Sequence, residues 1–267
     1  TLGINPSYAC GRGCRHCQVV NLPVRLGTEP SREDRQTRYV QAFAFAVEHQ
    51  IQNLVISGGE PIGMVPAEVQ DIIALSGTWL NALGSDAHLY VTTNASFASD
   101  SASAEERLLP IIEQFRAVAG EGQRLVVQIS VDEFHQETML DPTGTVRERI
   151  PLRNVAVLMQ CLHERFPDVG ITIINRFTYF SELIWFDLQA ELRSRGYEIF
   201  ECRSAHGNDL ATVTKVKVVG TSGAIEDREI LSEMPFTLRK TGEAGGALRS
   251  NEPLYLYAAS YINRVGW

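Results

Sequence analysis

The sequence contains no run near the roughly 18–20 consecutive apolar residues a membrane helix needs, and no signal-peptide pattern opens it. Cysteine is scarce as well. Five cysteines in 267 residues, unevenly placed, are too few for a disulfide framework. Positive charge is also in short supply: 24 Lys and Arg stand against 32 Asp and Glu, for a net charge of −8. With a pI near 5.3, this speaks against a general DNA- or RNA-binding surface, and Arg239, Lys240 and Arg249 read as solvated surface. There is no low-complexity tract and no internal repeat beyond an alternation of short and long patterned segments. The remainder is ordinary. At 44% hydrophobic and 21% charged, the chain reads as a globular protein of one large domain or two small ones, not as a disordered, collagen-like or coiled-coil chain.

Short β-rich runs are expected at 2–4, 53–57, 89–93, 125–131, 170–174 and 198–201. Leu54-Val55-Ile56 and Leu125-Val126-Val127 carry little polar alternation, as in parallel strands buried on both faces. Between the strands lie helical patterns. One starts at Ser31, an N-cap followed by Glu33 and Asp34, and continues through Tyr39, Val40, Phe43 and Val47. A second begins at Pro66 and breaks near Gly77; three more fall at 102–118, 152–166 and 181–195. Strand followed by helix, repeated, predicts an α/β fold with a parallel sheet, either open or a partial barrel. After residue 208 the pattern changes to a hairpin over 212–219 and 225–230, a Gly- and Thr-rich stretch, and an apolar segment at 254–263. The expected organisation is therefore a barrel segment at 1–207 and a C-terminal extension at 208–267.

In βα folds, ligands bind beyond the C-terminal ends of the strands. The residues that follow the strands become the shortlist: Cys10, Gly58-Gly59-Glu60-Pro61, Asn94, Asp132 to His135, Asn175-Arg176 and Cys202. Cys10-Gly-Arg-Gly-Cys14-Arg-His-Cys17 puts three thiols on one loop. Gly11 and Gly13 allow backbone conformations that bring sulfurs together, and Arg12 and Arg15 favour thiolates. A closed zinc site wants four ligands, whereas an iron–sulfur cube held by three leaves one iron open. The clustering points to metal or redox chemistry in a reducing compartment, hence a cytoplasmic protein.

The Cys-x3-Cys-x2-Cys spacing with His16 before the last cysteine resembles the radical S-adenosylmethionine (SAM) enzymes. Gly58-Gly59-Glu60-Pro61 resembles their GGEP methionine-binding motif, and Ser130-Val131-Asp132 their ribose-contact segment. The resemblance covers about residues 1–207. It implies a partial (β/α)6 TIM-like barrel, with Cys10, Cys14 and Cys17 ligating a [4Fe–4S] cluster whose fourth iron SAM would chelate. It also implies SAM contacts from His16, Gly58, Gly59, Glu60, Pro61, Asn94, Ser130, Asp132 and Asn175. In that scheme Glu60 accepts a hydrogen bond from the methionine ammonium. A flavodoxin- or ferredoxin-type electron donor is implied as partner.

Other readings stand beside these. The thiols could form a zinc knuckle, Asn94 could merely shape its turn, and Asp132 could merely cap its loop. His135 is a candidate acid–base residue or a surface histidine. Cys202 is a candidate hydrogen-atom donor or second-cluster ligand, or a buried small side chain, whereas Cys161 reads as core. Arg176 could grip a carboxylate. Cys161 and Cys202 cannot supply an auxiliary cluster site by themselves. The expectation is a single-cluster enzyme acting on a peptide in natural-product maturation. The alternatives are a small metabolite or nucleoside substrate, or a non-catalytic iron–sulfur or zinc scaffold.

Overall fold

The computed structural model describes residues 1–7, 9–12, 14, 31–132, 135–140, 143–174, 179–206, 212–219 and 225–233. The chain runs β1 (Leu2–Ser7), α1 (Arg32–Glu48), β2 (Asn53–Gly58), α2 (Pro61–Met64), α3 (Pro66–Leu75), α4 (Gly77–Leu83) and β3 (His88–Thr93). It continues with α5 (Ser101–Val118), β4 (Arg124–Ser130), β5 (Thr138–Leu140), β6 (Val146–Glu148), α6 (Leu152–Arg165), β7 (Gly170–Ile174) and α7 (Tyr179–Ser194). Three longer strands follow: β8 (Glu198–His206), β9 (Thr212–Val219) and β10 (Ile225–Glu233).

Local chemistry sets the helix boundaries. Ser31 Oγ accepts the Asp34 amide at 3.1 Å, satisfying one of the donors that α1 leaves unpaired at its N-terminus. Proline opens α3 at a position where its missing N–H costs nothing. Within α1 the buried residues are Tyr39, Phe43 and Ala46. Val40, expected on the same stripe, is half-exposed instead, because one residue along a helix turns the side chain by about 100°.

The strand order is β1-β2-β3-β4-β7-β10-β9-β8. From β1 to β7 every pair is parallel, so the fold is α/β around a parallel sheet. The registers align Ile4, Ile56, Val91, Val127 and Ile171 in one row, and all five are buried in a single hydrophobic cluster with the helices. Only that face is fully covered. On β2 and β3, buried residues alternate with partly open Val55, Ser57, Tyr90 and Thr92, so the expectation of strands buried on both faces is corrected. On the opposite face Thr92, partly open, donates to Gln128 Oε1 at 3.2 Å, while Gln128 and Thr172 beside it are buried.

The sixth parallel position also differs from expectation. The sequence pattern puts residues 198–201 beside the fifth strand, but β8 is the far edge and β10 pairs parallel with β7. The two parts of β10 take different partners. Its Ile230-Leu231 end pairs with Ile171 and Thr172, whereas its charged half, Glu226 to Glu229, pairs only with β9. The expected β9–β10 hairpin is present, with Ile225 opposite Val219. The expected boundary at residue 207 consequently falls inside one continuous sheet. Among the described residues, no helix is long and apolar enough to cross a membrane.

Candidate cysteine-loop site

In a parallel sheet all C-terminal strand ends lie along one edge, and here those of β1, β2, β3 and β4 bring their following loops together. The loop after β1 begins with a local turn in which the Ala9 amide donates to Ser7 Oγ at 3.0 Å. The loop after β2 is laid directly on it: Gly59 N–H donates to Ser7 O at 2.9 Å and Glu60 N–H to Ala9 O at 2.8 Å. Gly58 makes that approach possible. Its φ is +116°, and a Cβ there would stand 2.5 Å from the Ser7 carbonyl oxygen. The glycine is thus used by the protein's own backbone.

Cys10 is half-buried and Cys14 is 5% exposed. Asn94 Nδ2 approaches Cys10 Sγ at 3.7 Å, while Asn94 Oδ1 accepts the Ser96 amide at 2.9 Å. Asn94 therefore shapes its turn, one of its two expected roles, and in addition reaches the cysteine loop. His16 and Cys17 lie outside the described residues, as do Glu133, Asn175 and Arg176. Among the described residues no three His, Cys, Asp or Glu side chains converge as a metal-binding group. Two thiols four positions apart, with an amide donor directed at one sulfur, are a soft donor set that suits zinc as well as iron–sulfur ligation.

The Glu60 carboxylate is held by the protein's own donors. The side chain turns under the loop, 2% exposed. Thr93 Oγ1 donates to its Oε1 at 2.6 Å, the Asn94 amide to its Oε2 at 2.6 Å, and the Gly63 amide to its Oε1 at 3.2 Å. Burial raises its pKa above the ordinary carboxylate value, while these hydrogen bonds and the nearby His135 pull it back. A buried carboxylate needs donors, and the end of β3 and the backbone of α2 supply them. Glu60 also caps α2, with Pro61 buried at the first helical position.

Ser130 is half-buried at the end of β4, opposite Ile174. Asp132 faces its own loop rather than outward. Its Oδ1 accepts the His135 amide at 3.0 Å and lies 2.9 Å from His135 Nδ1, and its backbone N–H donates to Gln136 Oε1 at 2.8 Å. This is the loop-capping arrangement, and it sets His135 close to Glu60.

The expected position of Cys202, at the end of a strand beside the fifth, is corrected. It sits on β8, paired with Val216 of β9, and two strands separate β8 from β7. Cys161 is fully buried in α6, where burial pushes its thiol pKa up to about 11.

Two site residues carried no sequence signal. Arg149 Nη2 pairs with Glu137 Oε2 at 2.9 Å, and both side chains are only 9% exposed. Arg149 Nη1 donates to the carbonyl of Arg12, and Arg12 Nη1 donates to the carbonyl of Arg149 at 3.4 Å. Neither Glu137 nor Arg149 belongs to a motif, and 137 residues separate Arg149 from Arg12. Two open cavities of about 520 and 450 Å³ lie instead along α6 and α7, sharing Arg153 and Glu191 and including no residue of the cysteine loop.

Neither a protein-family model nor a curated protein matches this chain.

Proposed function

We propose that this protein is a radical SAM enzyme built on a partial (β/α)6 barrel, modifying a peptide. The observation that carries the reading is the pair of hydrogen bonds from Gly59 and Glu60 to Ser7 and Ala9. Through them the Cys-x3-Cys-x2-Cys loop and the GGEP loop, 41 or more residues apart in sequence (Cys17 to Gly58), become neighbours at one sheet edge.

Cys10, Cys14 and Cys17 would hold a [4Fe–4S] cluster. When bound, the cluster supplies an electron that splits SAM into methionine and a hydrogen-abstracting 5′-deoxyadenosyl radical. The chain's own residues prepare the place. Asn94 braces Cys10, Glu60 fixes Asn94 through its backbone, and Asp132 fixes His135. Backbone groups of Gly58 and Gly59, together with His16, Ser130 and Asn175, are the proposed SAM contacts. Glu60 and Asp132 serve by orienting their neighbours. An electron donor of the flavodoxin or ferredoxin type and a cytoplasmic setting belong to the same proposal.

The sheet face away from the helices favours a peptide over a phosphorylated metabolite. Toward the C-terminal ends of the strands Val55, Ser57, Tyr90, Thr92, Val126 and Gln128 are uncharged and suited to amide groups, with Arg124 at the far end of the same face.

Anaerobic reconstitution with iron and sulfide, then SAM and dithionite, tests the reading. About four irons per chain, one cubane, with 5′-deoxyadenosine as product, is the expected result. Zinc in place of iron, or no SAM cleavage, overturns it in favour of a scaffold. Cys14→Ala should lose both iron and cleavage, and retained cleavage would refute the ligand assignment.

A further inference from the structure

We infer that Arg149 is a positioning residue for the cysteine loop: held by Glu137, its guanidinium fastens the Arg12 carbonyl and so keeps the Cys10 and Cys14 thiols in place. The inference rests on that loop being the working site proposed above. Its test needs no metal.

The loop has little stiffness of its own, since Gly11 and Gly13 flank Arg12 and glycine gives up more backbone freedom than any other residue when it is fixed. Something outside the motif must hold it, and Arg149 is placed to do so. Its guanidinium spans two acceptors, the Glu137 carboxylate and the Arg12 carbonyl. The fork geometry of arginine suits that task, where a single ammonium would have to choose. The backbone repeats the connection: Arg149 N–H donates to Glu137 O at 2.8 Å, closing the base of the β5–β6 hairpin, and Arg12 reaches back to the Arg149 carbonyl.

A buried ion pair of this kind is poor evidence for stability, because desolvating both charges offsets much of their attraction. Its value here lies in specifying geometry. The β5–β6 hairpin thereby becomes a strap between the end of β4 and the cysteine loop. Cys14, 5% exposed although it lies in a loop, is the residue whose protection this strap explains.

The experiment uses the full-length, metal-free, reduced protein. Iodoacetamide labelling of each cysteine is followed by peptide mass spectrometry, with buried Cys161 as internal reference. Removing a charge-assisted hydrogen bond shifts a local opening equilibrium by roughly tenfold or more, so Arg149→Gln should speed Cys14 labelling by about that factor. Cys161 labelling should stay unchanged, and Arg149→Lys, which keeps a cation and donors, should return Cys14 part of the way. Glu137→Gln, a smaller insult, should act in the same direction if Arg149→Gln does not fold.

Cys14 labelling in the folded variants at the wild-type rate would overturn the inference. So would Cys14 and Cys161 accelerating together, which would mark general damage to the fold. Failure of the wild-type protein to bind iron would count against the proposed function while leaving the labelling result readable.

Discussion

Glu60 combines deep burial with three hydrogen-bond donors, and its substitution separates the two effects. Glu60→Gln turns an acceptor-only group into one that must present an NH2 toward a donor, so we expect a loss of about 1–3 kcal/mol in urea unfolding. The pH dependence has a definite sign. Burial raises the folded pKa above 4.5, so the folded state holds its proton longer than the unfolded state does. The stability of wild type relative to Glu60→Gln should thus be greatest below pH 4.5 and fall as pH rises toward the folded pKa. A relative stability that grows with pH would mean that the hydrogen bonds outweigh desolvation.

Glycine offers a second contrast at this scale. Gly58 and Gly84 both have positive φ, but a Cβ at Gly84 meets nothing within 4 Å. At φ 61° and ψ −141°, Gly84→Ala should cost about 1–3 kcal/mol of backbone strain without a clash. Gly58→Ala adds a clash with the Ser7 carbonyl, and should cost roughly 3 kcal/mol or more, along with the alignment of the two motif loops. Equal melting temperatures for the two variants would sink this distinction.

Among the elements, α1 and α3 are joined by a small polar cluster rather than by apolar contact alone. Glu68 accepts from Arg35 Nε and from the Tyr39 hydroxyl, each at 2.8 Å, and this contact together with burial pushes the Tyr39 pKa upward. Glu68→Ala would strand both donors in a partly buried place, for an expected loss of about 2 kcal/mol. Glu68→Gln, which keeps an acceptor, should lose less, and thermal unfolding of the two side by side would show the order.

Elements of this kind were legible in the sequence because their signals are local. Ser31, Pro66 and the apolar spacing of residues 152–166 each announce a helix within one or two turns, and runs such as Leu54-Val55-Ile56 announce the inner strands. The β5–β6 hairpin was not legible, since three-residue strands such as Thr138–Leu140 are too short to show a period of two. Nor was the turning-in of Glu60, which depends on donors at positions 93 and 94, supplied by a different strand.

At the scale of the whole molecule, the order of the last strands sets what can fold alone. Local pattern shows that β8, β9 and β10 exist but not which of them lies beside β7, because pairing partners are chosen by the complete sheet. A barrel segment ending at 207 would contain β7 without β10, and β8 without β9. Residues Ile171 to Ile174 would then present an unpaired edge, a template for association with other chains. We therefore expect a chain cut after residue 207 to lose a large share of the ~5–15 kcal/mol typical of a folded domain, and to aggregate or unfold without a sharp transition. A cut after residue 233, which retains β10, should keep cooperative unfolding if the sheet alone is what matters. Calorimetry and size-exclusion chromatography on the two truncations decide the point. A monomeric 1–207 chain with an undiminished, sharp melting transition would mean that the parallel strands β1 to β4 and β7 are self-sufficient and that β10 is an attachment to them.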